Sequence, residues 1–186
     1  MDQLRPGLTT HEIERLVGPL GVSLPSEAVT WWRWRDGVAA STIDRVSQRT
    51  IGGPDFEFLP LAEAVALYRQ QRRLATDIVQ SSPEFDLNVD AFWHPAWFPI
   101  SSARYGGIIA CDCGVRAGQP TPIRMVIWGD SPDEFDQVRV DSFGGMVAWW
   151  LDALDRGAWK YDRAQHRWLL DYGRLEDPSR ELTRLV

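Results

Sequence analysis

An α+β fold follows from three observations: helical periodicity with capping signals over residues 9–37, closely spaced strand candidates between residues 97 and 140, and a long helix opened by Ser142. Strands this close in sequence lack room for parallel crossovers. The pattern therefore predicts a central antiparallel or mixed β-sheet flanked by helices. A chain of 186 residues fits one domain with a substantial core.

Thr9 and Glu12 have capping-box spacing, with Leu8 and Ile13 placed as the hydrophobic staple. Ile13, Leu16, Val17 and Leu20 then form one apolar face of a short helix ending near Gly18–Gly21. Leu24-Pro25 opens a second helix, where Pro suits the first turn, and this runs through Ala28, Trp31 and Trp32 to stop at Asp36-Gly37. The polar stretch from Val38 to Pro54 predicts an irregular loop. Residues 55–59 alternate as a short strand. A third helix follows Pro60, with Leu61, Val65 and Tyr68 on one face and Arg69, Arg72 and Arg73 at its exposed end. The stretch from Thr76 to Asp90, with Ser81-Ser82-Pro83 inside it, reads as a surface insertion.

Strands are expected at 97–101, 107–113, 123–128 and 135–140, the first two joined by a turn holding Tyr105-Gly106-Gly107. The helix capped by Ser142 carries Met146, Val147, Trp150, Leu151 and Leu154 and closes at Gly157. Trp159/Tyr161 and Trp168/Leu170 then alternate around a polar turn as a hairpin does. The charged tail from Asp171 to Val186 reads as a short helix or a frayed end.

The ten Trp are the unusual feature of the composition. Each buries on the order of 150–250 Å², so most are expected in the core and the rest as interface anchors. No stretch approaches the ~20 consecutive apolar residues of a membrane span. Residues 1–8 lack the basic and apolar regions of a signal peptide, and two cysteines are too few for a secretory disulfide framework, so a cytoplasmic location is expected. Net charge is −6, with nineteen Arg against a single Lys. That balance disfavours nucleic acid and anionic membranes as partners, and it suits a basic protein partner.

Four residues invite an enzymatic reading: His94, Cys111, Asp112 and Cys113. A thiol nucleophile needs a base in contact and a stabilised thiolate, yet His94 between Trp93 and Pro95 is more simply structural. Cys-x-Cys lacks the usual two-residue spacing of zinc ligands, and the chain has three His in all, so no metal or organic cofactor is expected. If residues 111 and 113 lie on one strand, both thiols face the same way and serve the core. Gly106-Gly107 matches neither phosphate-loop pattern and precedes a strand, which makes it a turn. No catalytic constellation emerges, so the chain is expected not to be an enzyme.

The order of segments resembles the SUKH superfamily, which includes Smi/Knr-like cell-wall regulators and many bacterial toxin-immunity proteins. The resemblance rests on Leu24-Pro25 opening a helix that ends at Asp36-Gly37, and on Phe58-Leu59-Pro60-Leu61-Ala62-Glu63-Ala64. Its strongest part is Phe92-Trp93-His94-Pro95-Ala96-Trp97-Phe98-Pro99-Ile100 followed by Tyr105-Gly106-Gly107-Ile108-Ile109-Ala110-Cys111-Asp112. The strand at Ile123–Trp128 and the Ser142-Phe143 helix start fit the same order. It covers residues 10 to 157 of a single 1–186 domain, leaving 158–186 as a C-terminal extension. The stretch from Thr76 to Asp90 and the aromatic tail after Gly157 depart from the family pattern.

The resemblance implies a protein-binding module without catalysis, in the first place an immunity protein that neutralises a toxin by direct binding. A regulatory or scaffold role of the Smi/Knr type is the alternative, and a Cys-dependent enzyme the third reading. Trp97, Arg104, Tyr105 and Asp112 on the central hairpin are the first set of candidate contact residues. The acidic run Asp130, Asp133, Glu134 and Asp136 is the second, placed to steer a basic toxin domain.

Overall fold

Thr9 starts the first helix as its spacing requires. Its hydroxyl accepts the Glu12 N–H at 3.2 Å, and the Glu12 carboxylate accepts the Thr9 N–H at 2.8 Å. Residues 4–38, 56–103, 107–127, 138–163 and 167–175 are described by the structure, a computed structural model. Helix α1 spans Thr10–Val17 and buries Ile13 and Val17; a 3-10 turn over Gly18–Leu20 then ends at Gly21. Helix α2 spans Ser26–Trp34 behind Pro25.

Here the structure departs from the sequence reading. Helix α2 stops at Trp34, two residues short of Asp36-Gly37, and Arg35–Val38 forms strand β2, paired antiparallel with β1 at Leu4–Pro6. Neither segment alternates in hydrophobicity. Their pairing is a long-range choice that local pattern does not carry.

Five strands make the main sheet, all antiparallel: β3 Phe56–Phe58, β4 Trp97–Ala103, β5 Gly107–Asp112, β6 Ile123–Ile127 and β7 Val138–Val140, in that spatial order. The open choice between antiparallel and mixed is thus decided. Register sets the faces. Phe98 pairs with Cys111 and Cys111 with Ile123, so these three share one face. Trp97 pairs with Asp112, and Ala110 with Arg124, on the other. An irregularity in β4 between Pro99 and Ser101 resets the alternation.

Helix α3 runs Leu61–Ser81, so residues 76–81 are helical and the chain leaves the helix only at Ser82. The stretch read as a surface insertion from Thr76 thus begins inside α3 rather than after it. Ala75 continues the buried face, and two polar side chains are absorbed inside the helix: Thr76 donates to the Arg72 carbonyl and Ser81 to that of Asp77. Helix α4, Val89–Phe92, begins at Asn88, whose side chain accepts the Asp90 N–H.

The core lies between this helical layer and the Phe98 face. The Trp32 ring meets Phe98 edge-on at 5.7 Å, Tyr68 stacks on the same Phe98 at 5.7 Å, and the Trp32 indole donates to the Leu59 carbonyl at 3.2 Å. Rings of this size, fully buried and with their polar atoms paired, stabilise by about 1.5–3 kcal/mol each. Helix α5, Phe143–Asp155, starts at Ser142, whose hydroxyl accepts the Gly145 N–H at 2.9 Å. The expected hairpin comes next in the chain as β8 Trp159–Asp162 and β9 Arg167–Leu170. Ala153, Ala158, Trp159 and Leu175 form a second small core there, with Trp150 packed against it and against the main core.

Candidate functional site

Trp97, Asp112 and Arg124 meet on one face of the sheet. Trp97 and Asp112 are direct partners across β4 and β5, and Arg124 sits one strand further on, opposite Ala110. The alanine methyl leaves a path along which the arginine reaches back across β5. Its guanidinium lies 5.5 Å from the Trp97 ring centroid and 3.1 Å from Asp112 Oδ2. Asp112 Oδ1 accepts the Gly114 N–H at 2.8 Å, which holds the carboxylate in place. The cation thus has a carboxylate and a ring face in largely desolvated surroundings, where both interactions are stronger than at an exposed site.

This arrangement changes what the first set of candidates can do. Trp97 is 5% exposed, and its ring is committed to Trp93, His94 and Arg124. It braces the sheet rather than offering itself as an anchor. Asp112 is held in its internal ion pair. Arg104 and Tyr105 lie outside the described residues. Asp130, Asp133, Glu134 and Asp136 also lie outside the described residues.

The thiol and imidazole of the enzymatic reading are kept apart. Cys111 belongs to the Phe98 face, whereas His94 packs against Trp97, which points the other way. Full burial pushes the Cys111 thiol well up and keeps it protonated, with the neighbouring Cys113 side chain adding to the shift. Cys113 lies just past the end of β5 and is half-buried, so the expectation of two buried thiols holds for Cys111 alone. Among the described residues no group of three or more His, Cys, Asp and Glu is placed to hold a metal ion. No helix there is long and apolar enough to cross a membrane.

A different surface has the character of a contact site. Trp34, at the last position of α2, is 57% exposed and leans on Trp31 at 5.8 Å. Trp31 in turn touches Trp150 of α5 at 6.1 Å, as well as Phe58 at 4.5 Å and Phe143 at 5.5 Å. Beside Trp150 on the same helix, Leu151 and Leu154 face solvent, Leu151 at 57% exposure. The Trp31 indole N–H is buried with no hydrogen-bond partner among the described residues, so the Trp31 side chain joins the strip through ring contacts. The available signal was the run from Phe143 to Leu154, whose apolar residues exceed one helical face.

No protein-family model matches the chain, and a search of curated proteins finds no match.

Proposed function

We propose that the protein is a non-enzymatic protein-binding module whose docking surface is the Trp34–Trp31–Trp150–Leu151 strip. The observation that carries this is the exposure of Trp34 and Leu151, each 57%, on a base of half-buried tryptophans. Large rings on rigid helices lose little entropy on binding and are enriched in hot spots. The order of sequence motifs supports placing the module in the SUKH superfamily, with immunity against a toxin as its role. On this reading the partner is a basic toxin domain, and Asp130, Asp133, Glu134 and Asp136 steer it, raising association rate more than affinity. A Smi/Knr-like regulatory role is the second reading, since the same surface would serve a cellular partner.

The test is copurification from the native host, identification of the partner, and calorimetry on the purified pair. Trp34→Ala should weaken binding by about 2 kcal/mol, roughly thirty-fold, with the fold unchanged. Unaltered affinity for both Trp34→Ala and Leu151→Ala would remove this surface from the proposal. A captured toxin whose activity the protein suppresses supports immunity, and a partner without toxic activity supports regulation.

A further inference from the structure

The Trp34–Trp31–Trp150–Leu151 strip carries opposite charges at its two ends. At one end the exposed Trp34 stands between Arg33 and Arg35, both exposed as well. At the other, the exposed Leu151 and Leu154 are followed by Asp152 and Asp155 near the end of α5. Leu151 and Asp155 are four residues apart and share one side of that helix. The rings of Trp34 and Trp150 both approach the Trp31 ring, at 5.8 and 6.1 Å, so aromatic surface joins the two ends. Asp152 is paired with Arg156 at 2.7 Å, whereas Arg33, Arg35 and Asp155 have no ion pair among the described residues. Asp155 also lies at the negative end of the α5 dipole with no basic residue in that turn, so a cation arriving from outside stabilises it.

We propose that a second copy of this chain covers the strip, in a two-fold symmetric dimer. Trp34 of each copy packs on Leu151 and Leu154 of the other, and Arg33 and Arg35 of each face Asp155 of the other. The inference rests on reading the strip as a docking surface, and it names the occupant when no other partner is bound. A two-fold axis lays a surface against itself end to end, so every contact occurs twice. A strip charged alike at both ends is repelled under that operation, whereas one with opposite ends is attracted at both. The apolar middle supplies the affinity, and the charged ends fix orientation and register. The dimer covers three exposed apolar side chains on each copy: Trp34, Leu151 and Leu154. A protein partner that takes the strip must displace the second copy, so partner binding and dimer dissociation are linked.

The experiment is sedimentation equilibrium on the purified chain at rising concentration, in low and in high salt. The expected result is a reversible monomer–dimer equilibrium that weakens with salt, since the Debye length falls from about 10 Å at 0.1 M to about 3 Å at 1 M. Trp34→Ala takes two rings out of the interface and should weaken dimerisation about thirty-fold or more. Arg33→Glu with Arg35→Glu makes one charge variant and Asp155→Arg the other. Each alone should be monomeric, because like charges then meet at both ends. Mixed in equal amounts, the two should form a heterodimer, in which both ends attract again. A chain that stays monomeric at every concentration overturns the proposal. So does a dimer indifferent to Trp34→Ala or to the charge reversals, and so does a mixture of the two charge variants that stays monomeric. The docking surface itself is judged separately, by the partner's affinity for Trp34→Ala. A monomeric protein whose partner still loses affinity there sinks the dimer and leaves the surface standing.

Discussion

The carboxylate of Asp36 caps a helix that begins twenty-five residues later: its Oδ1 accepts the N–H of Leu61, the first residue of α3, at 2.7 Å. Pro60, at the N-cap, has no side chain able to do this. The other carboxylate oxygen pairs with Arg5 of β1 at 3.2 Å, so one buried acid ties β1, β2 and α3 together.

Removing that acid should be costly. Asp36→Ala leaves a buried N–H without an acceptor and Arg5 without its partner, and it should destabilise by about 1–3 kcal/mol in urea unfolding. Asp36→Asn retains an acceptor and should cost less. The pH dependence has a definite sign. Burial raises the Asp36 carboxyl above its ordinary value, against the opposing influence of the Leu61 N–H and Arg5. The stabilisation associated with its protonation is present at low pH and is lost as pH rises through the raised value. The stability of the unaltered protein relative to Asp36→Asn should therefore grow as pH falls from neutrality. Glu12 acts in the opposite sense. Its bonds to Thr9 lower its carboxyl, so its contribution is present above the ordinary glutamate value and is lost as pH falls through the lowered one. A stability difference between the unaltered protein and Asp36→Asn that stays flat across the acid range would refute the first assignment.

Gly37 and Gly21 both have positive φ, 73° and 68°, yet they should respond differently to alanine. A Cβ on Gly37 would lie 2.2 Å from the Pro60 nitrogen and 2.6 Å from the Leu59 carbonyl carbon, both of them backbone atoms that cannot move aside alone. A Cβ on Gly21 meets nothing within 4 Å. Gly21→Ala should therefore cost only the conformational strain, about 1–2 kcal/mol. Gly37→Ala should cost clearly more, beyond about 3 kcal/mol, by breaking the contact between β2 and the start of α3. Thermal unfolding of the two variants side by side separates these cases.

Trp32 and Trp34 are near neighbours in sequence with opposite assignments. Trp32 is fully buried against Phe98. Trp32→Ala should cost about 3–5 kcal/mol. Trp34→Ala loses one tilted ring contact and should stay below about 1.5 kcal/mol. Equal losses in denaturant titration would contradict the division into core and contact surface.

Ala110 is the gap through which Arg124 reaches Asp112 and Trp97. Its methyl is fully buried between β4 and β6. Ala110→Leu should fill that path, overpack the face and cost about 1–3 kcal/mol. Ala110→Gly leaves the path open and should keep the ion pair, at a cost of about 1 kcal/mol in strand propensity. A crystal structure of the leucine variant with Arg124 still over Trp97 would show that the gap is not what positions the guanidinium.

Much of this architecture is legible locally. The capping box at Thr9 and Glu12, the Ser142 cap and the terminal hairpin all depend on residues near one another in sequence, and each is where those residues place it. The end of α3 is not legible in this way, because polar residues from Thr76 onward look like loop. Inside a helix, Thr and Ser satisfy themselves on the carbonyl one turn back, and composition does not reveal that.

The candidate sites divide along the same line. Local sequence determined the starts of α1 and α5, the positions of the main-sheet strands and the apolar excess of α5, because caps, turns and periodicity act over a few residues. Which tryptophan is core and which is surface was decided only by tertiary structure. Trp31, Trp32 and Trp34 share one short helix, but a partner from elsewhere covers each to a different degree: Phe98 buries Trp32, Phe58 and Trp150 half-cover Trp31, and Trp34 stays largely exposed. The union of Trp97, Asp112 and Arg124 likewise depends on the register of three strands, and register is a property of pairing, which no single strand contains.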